Sequence, residues 1–166
     1  MQLIGNWWGT AMHLGHLYTS FQGRISRAMG WLGGIILGVV TLAALFAATF
    51  VVGISFDGND SRLKFVIFAL QLAFLYPSAA LMVKRLHDRN RPGSFAAFLL
   101  VPVVVKDITD LLGRTGDPFN MNPLDWVLNA IIFVVALWFF VELGCLRGTV
   151  GPNRYGPDPL DAAPTR

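Results

Sequence analysis

The stretch Lys84 to Ser94, KRLHDRNRPGS, puts six ionisable side chains into the eight positions from Lys84 to Arg91, between two of the most apolar parts of the chain. His87 and Asp88 are neighbours there, and an imidazole beside a carboxylate is the raw material of general acid–base chemistry. Adjacent side chains on a helix diverge by about 100°, so the two could address a common ligand only from a turn. His13 and His16, three positions apart, have a workable metal-ligand spacing. No cysteine cluster or paired acidic motif accompanies them, so no metal and no cofactor are expected. The chain also lacks a phosphate-cradling glycine loop, a nucleophile elbow and a zinc-protease helix, which leaves no catalytic residue to nominate.

A second set of charges sits in apolar surroundings. Lys106, Asp107 and Asp110 interrupt one hydrophobic run, and Glu142 lies near the end of another. If a helix begins near Ser94, Lys106 and Asp107 lie roughly 18–20 Å along it at about 1.5 Å per residue. A charge at the centre of a membrane helix costs about 2.5–3.5 kcal/mol, so charges kept there would serve an ion or solute path. The preferred reading is that the helix ends early and these residues surface, with Lys106 and Asp110 one turn apart and able to neutralise each other.

The elements that must position these residues are dictated by composition. Of 166 residues, 54% are hydrophobic and 14% charged, against about 25% charged in ordinary soluble domains. This is an integral membrane chain, all-α, with length for one domain over residues 1–160 and a flexible tail at 161–166. Ala28 to Phe56 carries no charge over 29 residues, more than the ~20 a spanning helix needs. It is also too long for the apolar core of a secretory signal. Phe65 to Val83 is uncharged, with Pro77 inside it, and Pro92 to Val105 is a shorter uncharged run of 14. Four transmembrane helices are expected, at about 29–54, 64–83, 94–113 and 124–146.

Basic residues in the flanks set orientation. Arg24, Arg27, Lys84, Arg85, Arg89, Arg91, Arg147 and Arg154 fall on one side of a four-span arrangement, against Arg62, Lys64 and Arg114 on the other. Both termini are therefore expected in the cytoplasm. The charged stretch becomes a cytoplasmic reversal, with Asn90, Pro92 and Gly93 supplying the turn.

Three motifs in order, FQGRISR before the first span, RLHDRNRPG between the second and third, and GTVGPNRYGPDP after the fourth, carry a likeness. Together they resemble the pattern of the bacterial "domain of unknown function 805" family of small inner-membrane proteins, from about Tyr18 to Pro159. The chain departs from that pattern at Arg89, Pro92 and Ser94 and in the charged KDITD of the third span. The resemblance implies a multi-pass protein of the bacterial inner membrane. It implies no chemistry, because the family's activity is unassigned.

Around this frame, Leu3, Ile4, Trp7, Trp8, Met12, Leu17, Tyr18 and Phe21 form an uncharged apolar and aromatic N-terminal segment suited to lie at the headgroup level. Gly30, Gly34 and Gly38 recur every four residues on one face of the first span, with Gly33 widening the strip, a surface for close helix packing within the chain or between copies. The last motif is too rich in Gly and Pro for a helix and should turn back along the cytoplasmic face. The leading expectation is a non-enzymatic membrane protein. In it Arg24, Arg27, Arg85, His87, Asp88, Arg91, Arg154 and Tyr155 engage anionic lipid or a protein partner, with no nucleic acid involved. The alternative is a small transporter or channel subunit, as a homo-oligomer, using Lys106, Asp107, Asp110 and Glu142; a membrane enzyme acting on lipid is third.

Overall fold

Ser26 opens the first long helix. Its hydroxyl accepts from the Met29 N–H at 3.3 Å, satisfying one of the amides that a helix start leaves without a partner. The computed structural model describes residues 14–53, 61–116 and 120–161. Within them the chain forms α1 (Leu14–Thr19), α2 (Arg27–Val52), α3 (Ser61–Asp88), α4 (Ala97–Leu111) and α5 (Pro123–Phe139). A 3₁₀ turn, Gly93–Ala96, leads into α4, and a π-helical stretch, Phe140–Cys145, continues α5. Leu3, Ile4, Trp7, Trp8, Met12 and His13 lie outside the described residues.

Each end has a local cause. Gly53 closes α2 with φ 65°, the left-handed geometry for which glycine carries no Cβ penalty. Asn122 and Asp125 form a reciprocal capping box at the start of α5, with Pro123 in the first turn, where its missing N–H costs nothing. Between α3 and α4 the chain reverses through Asn90, at φ 56°, and the Arg91 N–H returns to the Leu86 carbonyl at 2.8 Å.

Among the described residues three helices, Arg27–Val52, Arg62–Asp88 and Pro123–Cys145, are long and apolar enough to cross a membrane. Their outer faces carry Ile35, Val39, Leu42, Phe46, Phe50, Phe133, Val134 and Leu137, all exposed. In hydrocarbon such a surface is solvated by lipid, and burying it against another helix gains little. All the buried apolar residues except Ala80 fall into two small groups. Val83, Leu86, Ala96 and Phe139 make one, and Leu17, Ile25 and Leu81 the other. Both sit where α3 ends, beside a buried set of charges.

The glycine strip of α2 divides. A Cβ on Gly30 would meet the Arg85 stem at 2.8 Å, and one on Gly33 would meet Leu81 at 2.9 Å. Gly34 and Gly38 face open space. Within the chain the close approach to α3 therefore runs through Gly30 and Gly33, and Gly34 and Gly38 take no part in it.

Candidate functional site

α3 extends to Asp88, five residues past the end expected at 83. The charged stretch is thus mostly the last turns of a helix, and helical spacing sorts its side chains. Lys84, Arg85 and Asp88 turn inward and are buried, while His87 turns to another side.

Asp88 is 3% exposed and is shared by two guanidinium groups. Arg85 Nη1 reaches Oδ2 at 2.5 Å, and Arg24 donates to Oδ1 from Nη2 at 3.0 Å and Nε at 3.2 Å. The remaining donors of Arg24 go to backbone carbonyls of the C-terminal segment: Thr149 at 2.6 Å, Gly151 at 2.8 Å and Gly156 at 3.3 Å. Those of Arg85 go to Ile25 at 3.0 Å, Leu143 at 2.9 and 2.6 Å, and Leu146 at 3.4 Å. A guanidinium has five N–H donors in a fixed fork, and in both residues every one has a protein acceptor. Lys84, with no exposure, donates to the carbonyls of His16 and, at 3.1 Å, Leu17, which ties α1 to α3.

The π-helical stretch makes this possible. The final carbonyls of a helix lack intrahelical partners and carry the negative end of its dipole. Here Leu143 and Leu146 accept from Arg85, Gly144 accepts from Trp31 Nε1 at 3.2 Å, and Cys145 accepts from Arg27 Nη1 at 2.9 Å. Glu142, also buried, pairs with Arg89 at 3.3 Å and Arg91 at 3.4 Å.

The Gly/Pro-rich segment after α5 then straps across the end of α3. Thr149 donates to the Asp88 carbonyl from its amide at 2.8 Å and its hydroxyl at 3.1 Å, and Asn153 Nδ2 donates to the His87 carbonyl at 2.9 Å. His87 stacks on Tyr155 with centroids 3.8 Å apart and planes 8° from parallel. Arg154 Nη2 donates to the Asn90 carbonyl at 3.1 Å. Gly148 lies so close to the Asp88 carboxylate that a Cβ would overlap it. Asp158 anchors the strap through the amides of Leu160 and Gly151, both at 3.0 Å. The Leu160 amide above all, with help from Gly151, Arg24 and Arg147, holds its carboxyl below the usual carboxylate range despite its burial.

The three sequence motifs are therefore one structure, a clasp joining α1, α2, α3, the end of α5 and the strap. His87 and Asp88 serve different partners, so they are not an acid–base pair. Arg85 was expected to offer its fork to an outside anion; the protein's own acceptors occupy that fork, and the same holds for Arg24. Arg27, Arg91 and Arg154 keep exposed side chains, as does Arg147.

The second charge set gathers elsewhere. Lys106 pairs with Asp110 at 2.8 Å and with Asp125 at 3.6 Å, where the end of α4 meets the start of α5. Asp125, 2% exposed, also accepts from the Gly116 amide at 2.7 Å. Asp107 Oδ2 is buried without a partner among the described residues. Glu142 stands 17 positions along from Asp125, about 25 Å at helical rise. The four residues expected to share a path thus lie at opposite ends of α5. His16 is exposed, His13 lies outside the described residues, and no group of three metal-ligating side chains occurs among those described.

Comparison with known proteins follows this geometry. The family model described as "Protein of unknown function (DUF805)" matches residues 18–157, from α1 into the strap. The chain belongs to the DUF805 family. "Uncharacterized protein YiiR" of Escherichia coli (strain K12) is 29% identical over 143 residues, covering 86% of this chain and 87% of its own. "Inner membrane protein YhaI" of the same organism is 26% identical over 142 residues, with 86% and 87% covered. No solved structure matches. With its apolar helices, this makes the chain a multi-pass inner-membrane protein.

Proposed function

We propose that the protein is a four-span, non-enzymatic component of the inner membrane, with both termini cytoplasmic, whose clasped cytoplasmic end presents a basic rim to anionic lipid. The observation that carries the reading is the division of the arginines. Arg24 and Arg85 spend every donor inside the clasp, which makes the inner part of the charge cluster a fastener. Arg27, Arg91, Arg147 and Arg154 remain exposed around it. A ring of this kind at the end of membrane helices lies at the depth of lipid phosphates, where each basic residue adds about 1 kcal/mol of attraction to an anionic surface.

Four spans are supported by parity. The ends of α3 and α5 meet, since Thr149 touches Asp88, so both helices finish on one side. If α5 crosses, it starts on the other side, and the segment between must cross too. Gly93–Ala96 and α4 have the reach: 4 residues of 3₁₀ and 15 of α-helix extend about 30 Å, the thickness of the hydrocarbon core.

The test is lipid retention by the purified full chain, counted by native mass spectrometry from mixed phosphatidylglycerol and phosphatidylcholine. Enrichment of phosphatidylglycerol over the supplied ratio is expected. Retention at the supplied ratio would remove the lipid role.

A further inference from the structure

Beside the clasp lies a cleft that the fastening residues do not fill. Its inner part, 190 Å³, is bounded by Ser26, Arg27, Arg147, Gly148, Thr149 and the strap end, with Asp88 and Asp158 behind. Its outer part, 320 Å³, is bounded by Ser26, Arg27, Ala28, Trp31, Gly144 and Leu160. Ser26, Arg27 and Leu160 line both, so the two adjoin.

The charge balance of the inner part is decided by which groups are already engaged. Both oxygens of Asp88 are held by Arg24 and Arg85, and both oxygens of Asp158 by backbone amides. Arg27 donates once to Cys145, and its other N–H groups have no acceptor among the described residues. The guanidinium of Arg147 forms no hydrogen bond or ion pair there, although its charge is felt by Asp158. Two arginines with spare donors thus face one small space, a geometry suited to bidentate contact with phosphate oxygens.

The outer part has the opposite character. Trp31 is one turn below Arg27 on α2, about 6 Å deeper along the helix. It is 46% exposed, and Leu160 is 58% exposed. An indole at that depth belongs to the boundary between headgroups and acyl chains. The cleft therefore runs from a cationic inner end to an apolar, lipid-facing mouth.

We propose that this cleft is a phospholipid site, with the phosphate held between Arg27 and Arg147 and the first carbons of the acyl region lying over Trp31 and Leu160. It rests on the lipid reading above and gives it an address. Free phosphate shares the headgroup chemistry, but the apolar mouth assigns the site to a lipid.

Native mass spectrometry of the full chain with phosphatidylglycerol tests this, comparing wild type, Arg147→Gln, the Arg27→Gln/Arg147→Gln pair and Arg154→Gln, which removes a rim charge outside the cleft. Arg147→Gln breaks no hydrogen bond or ion pair among the described residues, so it tests the site with the clasp bonds intact. Loss of charged hydrogen bonds should lower retained lipid roughly tenfold in the pair and severalfold in Arg147→Gln. Arg154→Gln, a rim charge outside the cleft, should lose less lipid than Arg147→Gln. Inorganic phosphate or glycerol phosphate at millimolar concentration should displace little lipid. Equal loss in all variants would overturn the cleft while leaving a diffuse basic rim intact. Full displacement by inorganic phosphate would make it an anion site without an acyl component and overturn the lipid assignment. Wild type without phosphatidylglycerol enrichment would remove the wider reading together with this one.

Discussion

At the scale of single residues, Asp88 is the centre of the fold's polar energetics. Replacing it by Asn leaves two buried guanidinium groups with a neutral partner, and breaking a buried ion pair in this way costs about 3–5 kcal/mol. Arg91→Gln removes one arm of a pair whose side chain is 47% exposed, and such pairs are worth about 0–1 kcal/mol. Thermal unfolding in detergent should rank Asp88→Asn far below wild type and Arg91→Gln beside it. Comparable melting of the two variants would mean that Asp88 does not hold the clasp. Asp158 adds a pH dependence. Its carboxyl titrates below the unfolded value, so its contribution is present above the unfolded carboxylate range and fades as pH falls through the lower folded value. The hydrogen-exchange protection of residues 149–160, measured against the intrinsic rate at each pH, should therefore fall on acidification, and Asp158→Asn should flatten that response. The residue types of the clasp were visible in the sequence, but their pairing was not. RLHD reads as a loop when the helix is ended at 83. Five more residues of helix bury Asp88 and turn His87 toward Tyr155. Asp125 as Lys106's partner carries no signal in the apolar runs, because the capping box with Asn122 fixes it where the expected span merely begins.

At the scale of elements, helix packing here follows small residues and polar fasteners instead of apolar burial. The spacing of Gly30, Gly34 and Gly38, widened by Gly33, marks a strip of small residues, and α2 meets α3 through only Gly30 and Gly33 of it, because the crossing brings the Arg85 stem and Leu81 against those two positions. One sequence states which residues are small; the crossing angle decides which of them are touched. Gly33→Leu should then force α2 away from Leu81 and Leu17, with overpacking costing about 1–3 kcal/mol. Gly34→Leu faces open space and should leave the melting temperature of the monomer unchanged. The reverse ranking in a detergent melt would place α2 in a different rotation about its axis. The π-helical end of α5 had no sequence signal at all. It is defined by what its carbonyls receive: Arg85, Trp31 and Arg27 arrive from elsewhere in the chain and take carbonyls at 143–146.

At the scale of the whole molecule, two independent arguments bear on topology. The first is the excess of basic residues in the N-terminal flank, the α3–α4 reversal and the C-terminal strap, which favours the cytoplasm for all three. The second is contact. Arg24, Asp88 and Thr149 are bonded to one another, so those three regions share a side whatever the charge rule says. The two arguments use many of the same arginines for different physical reasons, and substitutions can separate them. Reporter fusions after Arg91 and after Arg166 should both read cytoplasmic, and fusions near Asp60 and Gly116 external. Arg85→Lys keeps the charge that orients the chain but cannot satisfy carbonyls of Ile25, Leu143 and Leu146 together with Asp88, and losing charged hydrogen bonds costs about 1.5–3 kcal/mol. It should therefore leave every reporter unchanged while lowering the melting temperature. A shifted reporter with wild-type stability would make Arg85 an orienting charge alone. Opposite readings after Arg91 and Arg166 would require an odd number of crossings between them, and no clasp could then form.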